Sequence, residues 1–208
     1  MYSISIGTRE RVRSRPDVPG FPDLSEPLTD GALALRPSAE RDIPEVLIAY
    51  QDDRRLHLRL GEERPPTGAE LGRRVERAEL HWRTGEAATL TLVEPPEDVC
   101  RGEVRVQRLD WENRRVQLTV WVAPQRRGQG LGRRALRLAS QWLLDAGGLE
   151  RVGLMTEPDN APLIAAARAA GFAEEGVLRG HEVGLPAHGR AERVDRAVLS
   201  RVRGDLRR

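Results

Sequence analysis

Residues 126–133 have the sequence Arg126-Arg127-Gly128-Gln129-Gly130-Leu131-Gly132-Arg133, and they follow an apolar run that ends at Pro124. Glycine lacks a Cβ, so its backbone can take positive φ angles that turn successive N–H groups toward one point. Free N–H groups at a helix start attract anions, and flanking arginines add charge-assisted hydrogen bonds. The stretch therefore predicts a strand, a glycine turn and a helix that bind a phosphate or pyrophosphate. The alternative is a tight connection that binds no ligand.

The hydrophobic pattern on both sides of this turn predicts one domain of mixed α/β (α+β) class. Three apolar runs that precede the turn are separated by short turns and indicate an antiparallel meander. The order β-α-α-β-β-β-α-β-α-β-β describes a central sheet flanked by helices, with strands at residues 32–35, 87–93, 99–109, 116–122, 151–156, 172–178 and 194–202 and helices at 42–50, 67–83, 130–146 and 161–170. Residues 1–28 are rich in arginine and proline. They predict an N-terminal arm, which leaves residues 29–208 for the domain.

The composition excludes several classes of protein. All 34 residues counted as lysine or arginine are arginine, which excludes a Schiff-base lysine and the phosphate-binding lysine of a P-loop. The one cysteine, Cys100, excludes a disulfide framework, and the four histidines lack the spacing of metal ligands, so we expect no metal. A formal net charge of +2 and an aromatic content of 4% argue against a surface that binds nucleic acid. Without a membrane-spanning apolar run or a signal-peptide pattern, we expect a cytoplasmic protein that does not enter a membrane.

Four landmarks, taken in order, resemble the GNAT superfamily of N-acetyltransferases. They are the first strand at residues 29–37, the pattern Arg127-x-x-Gly130-x-Gly132, the segment Glu157-Pro158-Asp159-Asn160, and the stretch Gly171-Phe172-x-x-Glu175-Gly176-x-x-Arg179. The last two are similar to the RimJ/RimL-like branch, which acetylates the N-terminal amines of proteins. The resemblance covers about residues 29–202.

The resemblance implies that acetyl-coenzyme A is the cosubstrate and that residues 126–133 hold its pyrophosphate. It also implies that the strands before and after the loop splay apart, commonly aided by a bulge, so that the pantetheine arm inserts like an extra strand. Val120 and Val122 would then supply backbone hydrogen bonds, and Asn160 would join the cofactor-binding residues. In this family a neutral amine attacks the thioester directly, while a backbone amide of the splayed strand holds the oxyanion. Cys100 is then expected to be a buried structural thiol.

Two glutamates are candidates for the general base. Glu182 follows the phenylalanine of the Gly171-Phe172 pair at the distance at which the RimL-like branch has a glutamate; the alternative is a solvated loop carboxylate. Glu103, early in a central strand, is the second candidate, and its alternative is a partner for an arginine such as Arg105 or Arg115. General-base assistance is typically worth about 10²–10⁴-fold in rate.

Two positions depart from the family pattern. Leu163 stands where the branch has a serine that steadies the thiolate, and Ala167 stands where many members have a tyrosine as general acid. The prediction is an N-acetyltransferase whose acceptor is a primary amine, on a protein N-terminus or a small molecule, with a homodimer as a possible assembly. A non-catalytic acyl-coenzyme A binding module is the first alternative, and an arginine-rich nucleic-acid-binding protein is a weaker one.

Overall fold

The computed structural model of the chain describes residues 20–184 and 193–207. Its strands are β1 (Leu28–Thr29), β2 (Ala34–Pro37), β3 (Ala88–Val93), β4 (Gly102–Asp110), β5 (Arg115–Val122), β6 (Arg151–Thr156), β7 (Ala173–Val183) and β8 (Arg193–Val202). Its α-helices are α1 (Ile43–Asp52), α2 (Leu56–Arg59), α3 (Gly68–Thr84), α4 (Leu131–Asp145) and α5 (Ala161–Ala169). Short 3-10 helices occupy Glu40–Asp42, Pro124–Arg126 and Arg203–Arg207.

The strands of the described residues form one sheet in the order β1-β2-β3-β4-β5-β6-β8-β7. Neighbouring strands are antiparallel except β5 and β6, which are parallel and are connected through the crossover helix α4. Every predicted strand and helix is present in the predicted order, which confirms the mixed α/β fold. Strand β1 and helix α2 have no counterpart in the predicted order, because two and four residues are too few to show a period. Strand β7 continues to Val183, beyond its predicted end at Leu178.

Helix α4 covers one face of the sheet. Its apolar positions recur every three or four residues, which places them on one side of the helix. Leu131, Ala135, Leu136, Ala139 and Leu143 belong to one buried cluster with side chains of β3, β4, β5, β6 and β8. Because side chains alternate along a strand, the residues between these core positions point to the opposite face.

Helices α1, α2 and α3 cover only part of the opposite face. A second buried cluster lies beneath them and contains Val46, Tyr50, Leu71, Cys100 and Trp121. Beyond α3 the sheet presents partly exposed side chains, namely Gln107 of β4, Thr119 of β5, Met155 of β6 and Arg196 of β8. We call this uncovered part the open face.

The start of α3 forms the capping box that the sequence predicted. The Thr67 hydroxyl accepts a hydrogen bond from the amide of Glu70, and the Glu70 carboxylate accepts one from the amide of Thr67. The helix ends at Gly85, which has a φ of 64° and caps it in the left-handed conformation. No helix among the described residues is long and apolar enough to cross a membrane.

Part of the predicted N-terminal arm packs against the domain. Phe21 is buried, and its ring centroid lies 6.0 Å from that of Trp142 and 5.6 Å from that of Trp82. Leu28 pairs with Leu35 through β1. Residues 20–28 are therefore attached to the domain, and the predicted arm applies to residues 1–19, which lie outside the described part of the chain.

Candidate functional site

Strands β5 and β6 part in the middle of the sheet. Their parallel pairing runs from Arg115↔Arg151 to Leu118↔Leu154, although β5 continues to Val122 and β6 to Thr156. On its other side β5 is paired regularly with β4 from Gln107↔Gln117 to Gly102↔Val122. The register shift between β4 and β5 lies after Gln107, opposite the paired half of β5. The strands thus splay, whereas the bulge that commonly accompanies the splay is on the neighbouring strand.

Val120 and Val122 direct backbone polar groups into this gap. Val116 points its carbonyl oxygen toward Gly153 of β6. A Cβ built on Gly153 would lie 3.6 Å from this oxygen. Backbone groups of a strand alternate in direction, so residues two apart point the same way. The backbone groups of Val120 and Val122 therefore face the side that β6 leaves open.

The loop after β5 presents consecutive unbonded amides. Gly128 and Gly130 have φ angles of 77° and 81°, and Gly130 stands directly before the first residue of α4. No group among the described residues accepts a hydrogen bond from the backbone N–H of Gly128, Gln129, Gly130, Leu131, Gly132 or Arg133. Unbonded amides at a helix N-terminus form an anion site.

The arginines of the loop differ in what they contact. Arg127 donates from Nε to the carbonyl oxygen of Val122 at 3.0 Å, and its guanidinium donates to Asp53 at 2.7 Å. Arg126 lies 3.5 Å from Glu94. Arg133 is exposed, and no carboxylate in the described residues lies within ion-pair distance of it. Arg127 therefore braces the loop against the α1–α2 connection, and Arg133 is the loop arginine left available to an anion.

Asn160 caps α5 at the end of the gap. Its side-chain oxygen accepts from the amide of Leu163 at 3.4 Å, and its Nδ2 donates to the Thr156 hydroxyl at 2.9 Å. Both halves of the side-chain amide are therefore used within the chain. Leu163 packs against the main core and Ala167 is fully buried, so these two positions bring no polar group to the gap.

Glu103 lies buried in a cluster beneath α1 and α3. Its Oε2 accepts from Trp121 Nε1 at 2.9 Å and from Arg105 Nε at 3.0 Å. The arginine alternative considered for Glu103 is thus the contact that the structure contains. Burial alone would lower the pKa of Arg105, but the negative charges of Glu103 and Glu62 outweigh it and raise that pKa.

Glu182 lies over the open face. Its Oε2 accepts from Arg196 Nε at 2.9 Å, and its Oε1 lies 3.7 Å from a guanidinium nitrogen of Arg108 in β4. Arg196 is also 3.5 Å from Glu157, the residue after β6. Because β7 is the far edge of the sheet and β4 lies on the other side of the gap, the β7–β8 hairpin must curl across the open face. Glu182 is therefore the candidate base that reaches toward the gap.

Cys100 has the buried position expected of a structural thiol. Its Sγ lies 3.6 Å from the carbonyl oxygen of Gly102, and burial raises the pKa of the thiol to about 12. The described residues contain no group of three or more His, Cys, Asp or Glu side chains placed to hold a metal ion. The gap and the loop therefore offer backbone N–H groups, arginines and one partly exposed glutamate to a ligand.

Comparison with known families identifies the fold. The family model described as the acetyltransferase (GNAT) domain matches residues 32–173. The chain belongs to the GNAT acetyltransferases. This membership confirms the predicted family, fold class and acetyl-transfer reaction. No curated protein sequence matches the chain.

Solved GNAT structures share this fold at low sequence identity. The ribosomal-protein-S5-alanine acetyltransferase from Vibrio fischeri has a TM-score of 0.73 and 17% identity, covering 86% of this chain and 98% of that one. RimJ from Mycobacterium smegmatis in complex with CoA-disulfide has a TM-score of 0.69 and 19% identity, covering 88% of each chain. Spermidine N-acetyltransferase from Vibrio cholerae in complex with CoA and spermine has a TM-score of 0.71 and 17% identity, covering 86% of this chain and 100% of that one.

The partners that hold the candidate residues in place are not apparent from the sequence. Asp53 fixes Arg127 from 74 positions away, and Trp121 holds Glu103 from 18 positions away. Arg108 and Arg196 flank Glu182 from two different strands. The alternation of β5 could have shown that Trp121 shares a face with Glu103, since both occupy paired positions of neighbouring strands. Nothing in the local sequence marks Asp53.

Proposed function

We propose that this GNAT protein binds acetyl-coenzyme A along the free side of β5 and transfers the acetyl group to a primary amine presented from the open face. The six unbonded amides from Gly128 to Arg133 carry this proposal. They suit a pyrophosphate because they gather donors and the positive end of α4 at one place. Only the short 3-10 helix Pro124–Arg126 separates these amides from the end of β5 that borders the gap.

The residues of the gap divide the work of the reaction. The backbone groups of Val120 and the N–H of Val122 orient the pantetheine arm as an added strand would be oriented, since Arg127 already binds the carbonyl of Val122. A backbone N–H of β5 stabilises the oxyanion as the amine attacks, and its fixed direction makes that stabilisation available without rearrangement. Arg133 adds charge at the phosphate end of the loop.

In this proposal Glu182 takes a proton from the acceptor ammonium, and the neutral amine that results attacks the thioester and displaces the thiolate of coenzyme A. It is partly exposed and lies between Arg108 and Arg196, which span the gap on the open face. Glu103 is a weaker candidate, because Trp121 and Arg105 already bind its carboxylate in a buried site. An α-amine of pKa near 7.8 is roughly one-seventh neutral at pH 7, so an N-terminal acceptor needs less help from a base than a lysine does.

The test is thiol release from acetyl-coenzyme A with a panel of amines, alongside calorimetric titration of coenzyme A. The panel contains peptides with free and with blocked N-termini, spermidine and free amino acids. We expect one molecule of coenzyme A bound per chain and release of thiol only with unblocked amines. Binding without thiol release for every amine would favour the non-catalytic module that Leu163 and Ala167 suggest.

We also propose that the protein is cytoplasmic and that it forms a homodimer. Solved structures that share the fold are named as a ribosomal-protein α-N-acetyltransferase and a spermidine N-acetyltransferase, which supports a primary amine as the acceptor. Light scattering on the purified chain would decide between a monomer and a dimer.

A further inference from the structure

A groove of about 530 Å³ runs along the sheet between α3 and the strands β3 and β4. Its floor contains Arg105 and Gln107 of β4. The side-chain amide of Gln107 donates to the Thr119 hydroxyl at 2.8 Å, and Thr119 is the first residue of β5 beyond the last pair with β6. The groove therefore leads along the open face to the mouth of the gap, and its volume is that of an ordinary ligand site.

The carboxylates that line the groove are already paired. Glu62 accepts from Arg74 at 2.8 Å and from Arg105 at 3.0 Å. Glu70 accepts from Arg64 at 2.6 Å and also closes the capping box of α3. These pairs neutralise the two acidic groups of the lining, so neither is available to a cationic ligand.

Two arginines that line the groove form no ion pair with any carboxylate of the described residues. Arg73 and Arg77 are exposed on α3, and no carboxylate in the described residues lies within ion-pair distance of either. Because they are four residues apart, they stand on the same side of the helix with Cβ atoms about 5–6 Å apart. The groove thus carries two guanidinium groups that point into a ligand-sized space without a counter-charge from the described chain.

We infer that this groove holds the segment next to the acceptor amine and selects acceptors that carry carboxylates there. The inference rests on the proposed function, since it assigns the acceptor of the same site. Carboxylates bind guanidinium groups through paired, charge-assisted hydrogen bonds. A polyamine would instead place its charges against Arg73 and Arg77, which disfavours it.

The test uses fluorescence anisotropy with the full chain saturated with coenzyme A. Three peptides share their first residue and carry Asp, Asn or Lys at positions two to four, with a fluorophore at the C-terminus. We expect the Asp peptide to bind at least about tenfold more tightly than the Asn peptide, since hydrogen bonds to charged groups are among the stronger ones. The advantage should shrink as salt concentration rises. Equal binding of the Asp and Asn peptides, or undetectable binding of the Asp peptide, would overturn the inference.

Matched variants locate the preference. The double variant Arg73→Ala, Arg77→Ala should abolish the advantage of the Asp peptide while coenzyme A affinity is unchanged, because both residues lie outside the loop. Arg83→Ala, an exposed arginine of the same helix that does not line the groove, should retain the advantage. A preference that survives the double variant would contradict the assignment to this groove. Alanine is a strong helix former, so the helix should persist in every variant.

Two further measurements separate the possible outcomes. A free amino dicarboxylic acid is added as a competitor, and displacement of the Asp peptide at comparable concentrations would identify a small acidic amine, rather than a peptide, as the source of the carboxylates. Thiol release from acetyl-coenzyme A is followed independently. If thiol is released but the Asp and Asn peptides bind equally, only the inference about the groove is contradicted. If the Asp peptide binds more tightly but no thiol is released, only the proposed transfer reaction is contradicted.

Discussion

The glycine loop and the open face approach the same gap with opposite chemistry. The loop offers backbone N–H groups that no described residue uses, from Gly128 to Arg133. The open face offers side chains that are bound to one another, as Glu182 is to Arg196 and Gln107 is to Thr119. The loop can bind an anion without a change in its own contacts. On the open face, a ligand has to replace hydrogen bonds that side chains already make to one another.

This difference assigns different costs to the two ligands. A ligand of the loop displaces water and finds its donors fixed by the turn, so little reorganisation opposes binding. An acceptor on the open face has to compete with ion pairs before it reaches Glu182. In the proposed function, the loop would set the affinity for the cosubstrate, and the open face would set which acceptor is used.

The largest expected effect is on turnover and comes from Glu182→Gln. Glutamine keeps the shape of the side chain and an acceptor for Arg196 but cannot take a proton from the amine. We expect kcat to fall by about 10²–10⁴-fold while coenzyme A affinity stays unchanged. Steady-state kinetics with the best amine of the panel measures it.

Glu175→Gln is the matched control for Glu182→Gln. Glu175 lies on the same strand and pairs with Arg151, away from the gap. Its substitution should leave kcat within a few fold of the parent. If Glu182→Gln turned over as fast as Glu175→Gln, the open face would not supply the base.

The variants Gly130→Asp and Gly130→Asn test whether the loop binds an anion. Both side chains tolerate the left-handed conformation at this position better than most, so the two variants share the same backbone strain. Only aspartate adds a negative charge next to the unbonded amides, and it should weaken coenzyme A binding about a hundredfold beyond the effect of asparagine. Isothermal titration measures both constants. Similar affinities for the two variants would show that the loop is a connection without an anion.

A stability effect is expected from Asp42→Asn, away from both regions. The Asp42 carboxylate accepts from two nitrogens of Arg36 at 2.8 and 2.7 Å and from the Thr91 hydroxyl at 2.8 Å, all in a buried site. Removing its charge leaves the Arg36 guanidinium buried with a weaker partner, and we expect a loss of about 3 kcal/mol in the free energy of unfolding. Urea denaturation followed by circular dichroism measures it.

Asp98→Asn is the control, because Asp98 also contacts Arg36 but is half exposed. Its effect on the free energy of unfolding should stay below about 1 kcal/mol.

Low pH should weaken the Asp42–Arg36 pair. Burial alone would raise the pKa of Asp42, but hydrogen bonds from Arg36, Ala39 and Thr91 outweigh it and lower that pKa below its ordinary value of 3.8. The stabilisation is therefore present above pH 3.8 and is lost as the pH falls below it. Unchanged stability of Asp42→Asn would contradict this account.

The smallest effect is expected at Cys100. Burial raises the pKa of its thiol to about 12, so the thiolate that attacks a disulfide reagent is scarce at pH 8. We expect no reaction of the folded chain with an aromatic disulfide over the time of a thiol-release assay, and one equivalent after unfolding in urea. Rapid labelling of the folded chain would show that this region opens.

The features that could be predicted from the sequence are those whose conformation is determined by residues adjacent in the chain. The glycines at 128 and 130 adopt the positive φ angles that an anion loop requires, and Thr67 and Glu70 form the expected capping box. These features follow from backbone conformations that few residues can adopt. The same reasoning holds for α4, whose apolar period is long and regular.

The open face could not be predicted in this way, because its contacts join distant residues. The spacing to Phe172 singles out Glu182, yet its partners Arg108 and Arg196 come together only because β7 and β8 curl over the sheet. The loop pattern predicts that Arg127 contacts the phosphate, but it does not show that Asp53 of another element pairs with Arg127. Spacing indicates which residues stand near a site, and the tertiary fold decides which of their groups remain available.

The distribution of the four tryptophans gives the chain separate optical reporters. Trp82, Trp111 and Trp142 surround Phe21, so their emission responds to the attachment of the N-terminal segment. Trp121 lies apart from them, between Val120 and Val122 on the strand that borders the gap, and its indole is bonded to Glu103. A Trp121→Phe variant therefore isolates the signal of the N-terminal segment. The difference between its spectrum and that of the parent protein reports on the buried cluster beneath α1 and α3, without an added label.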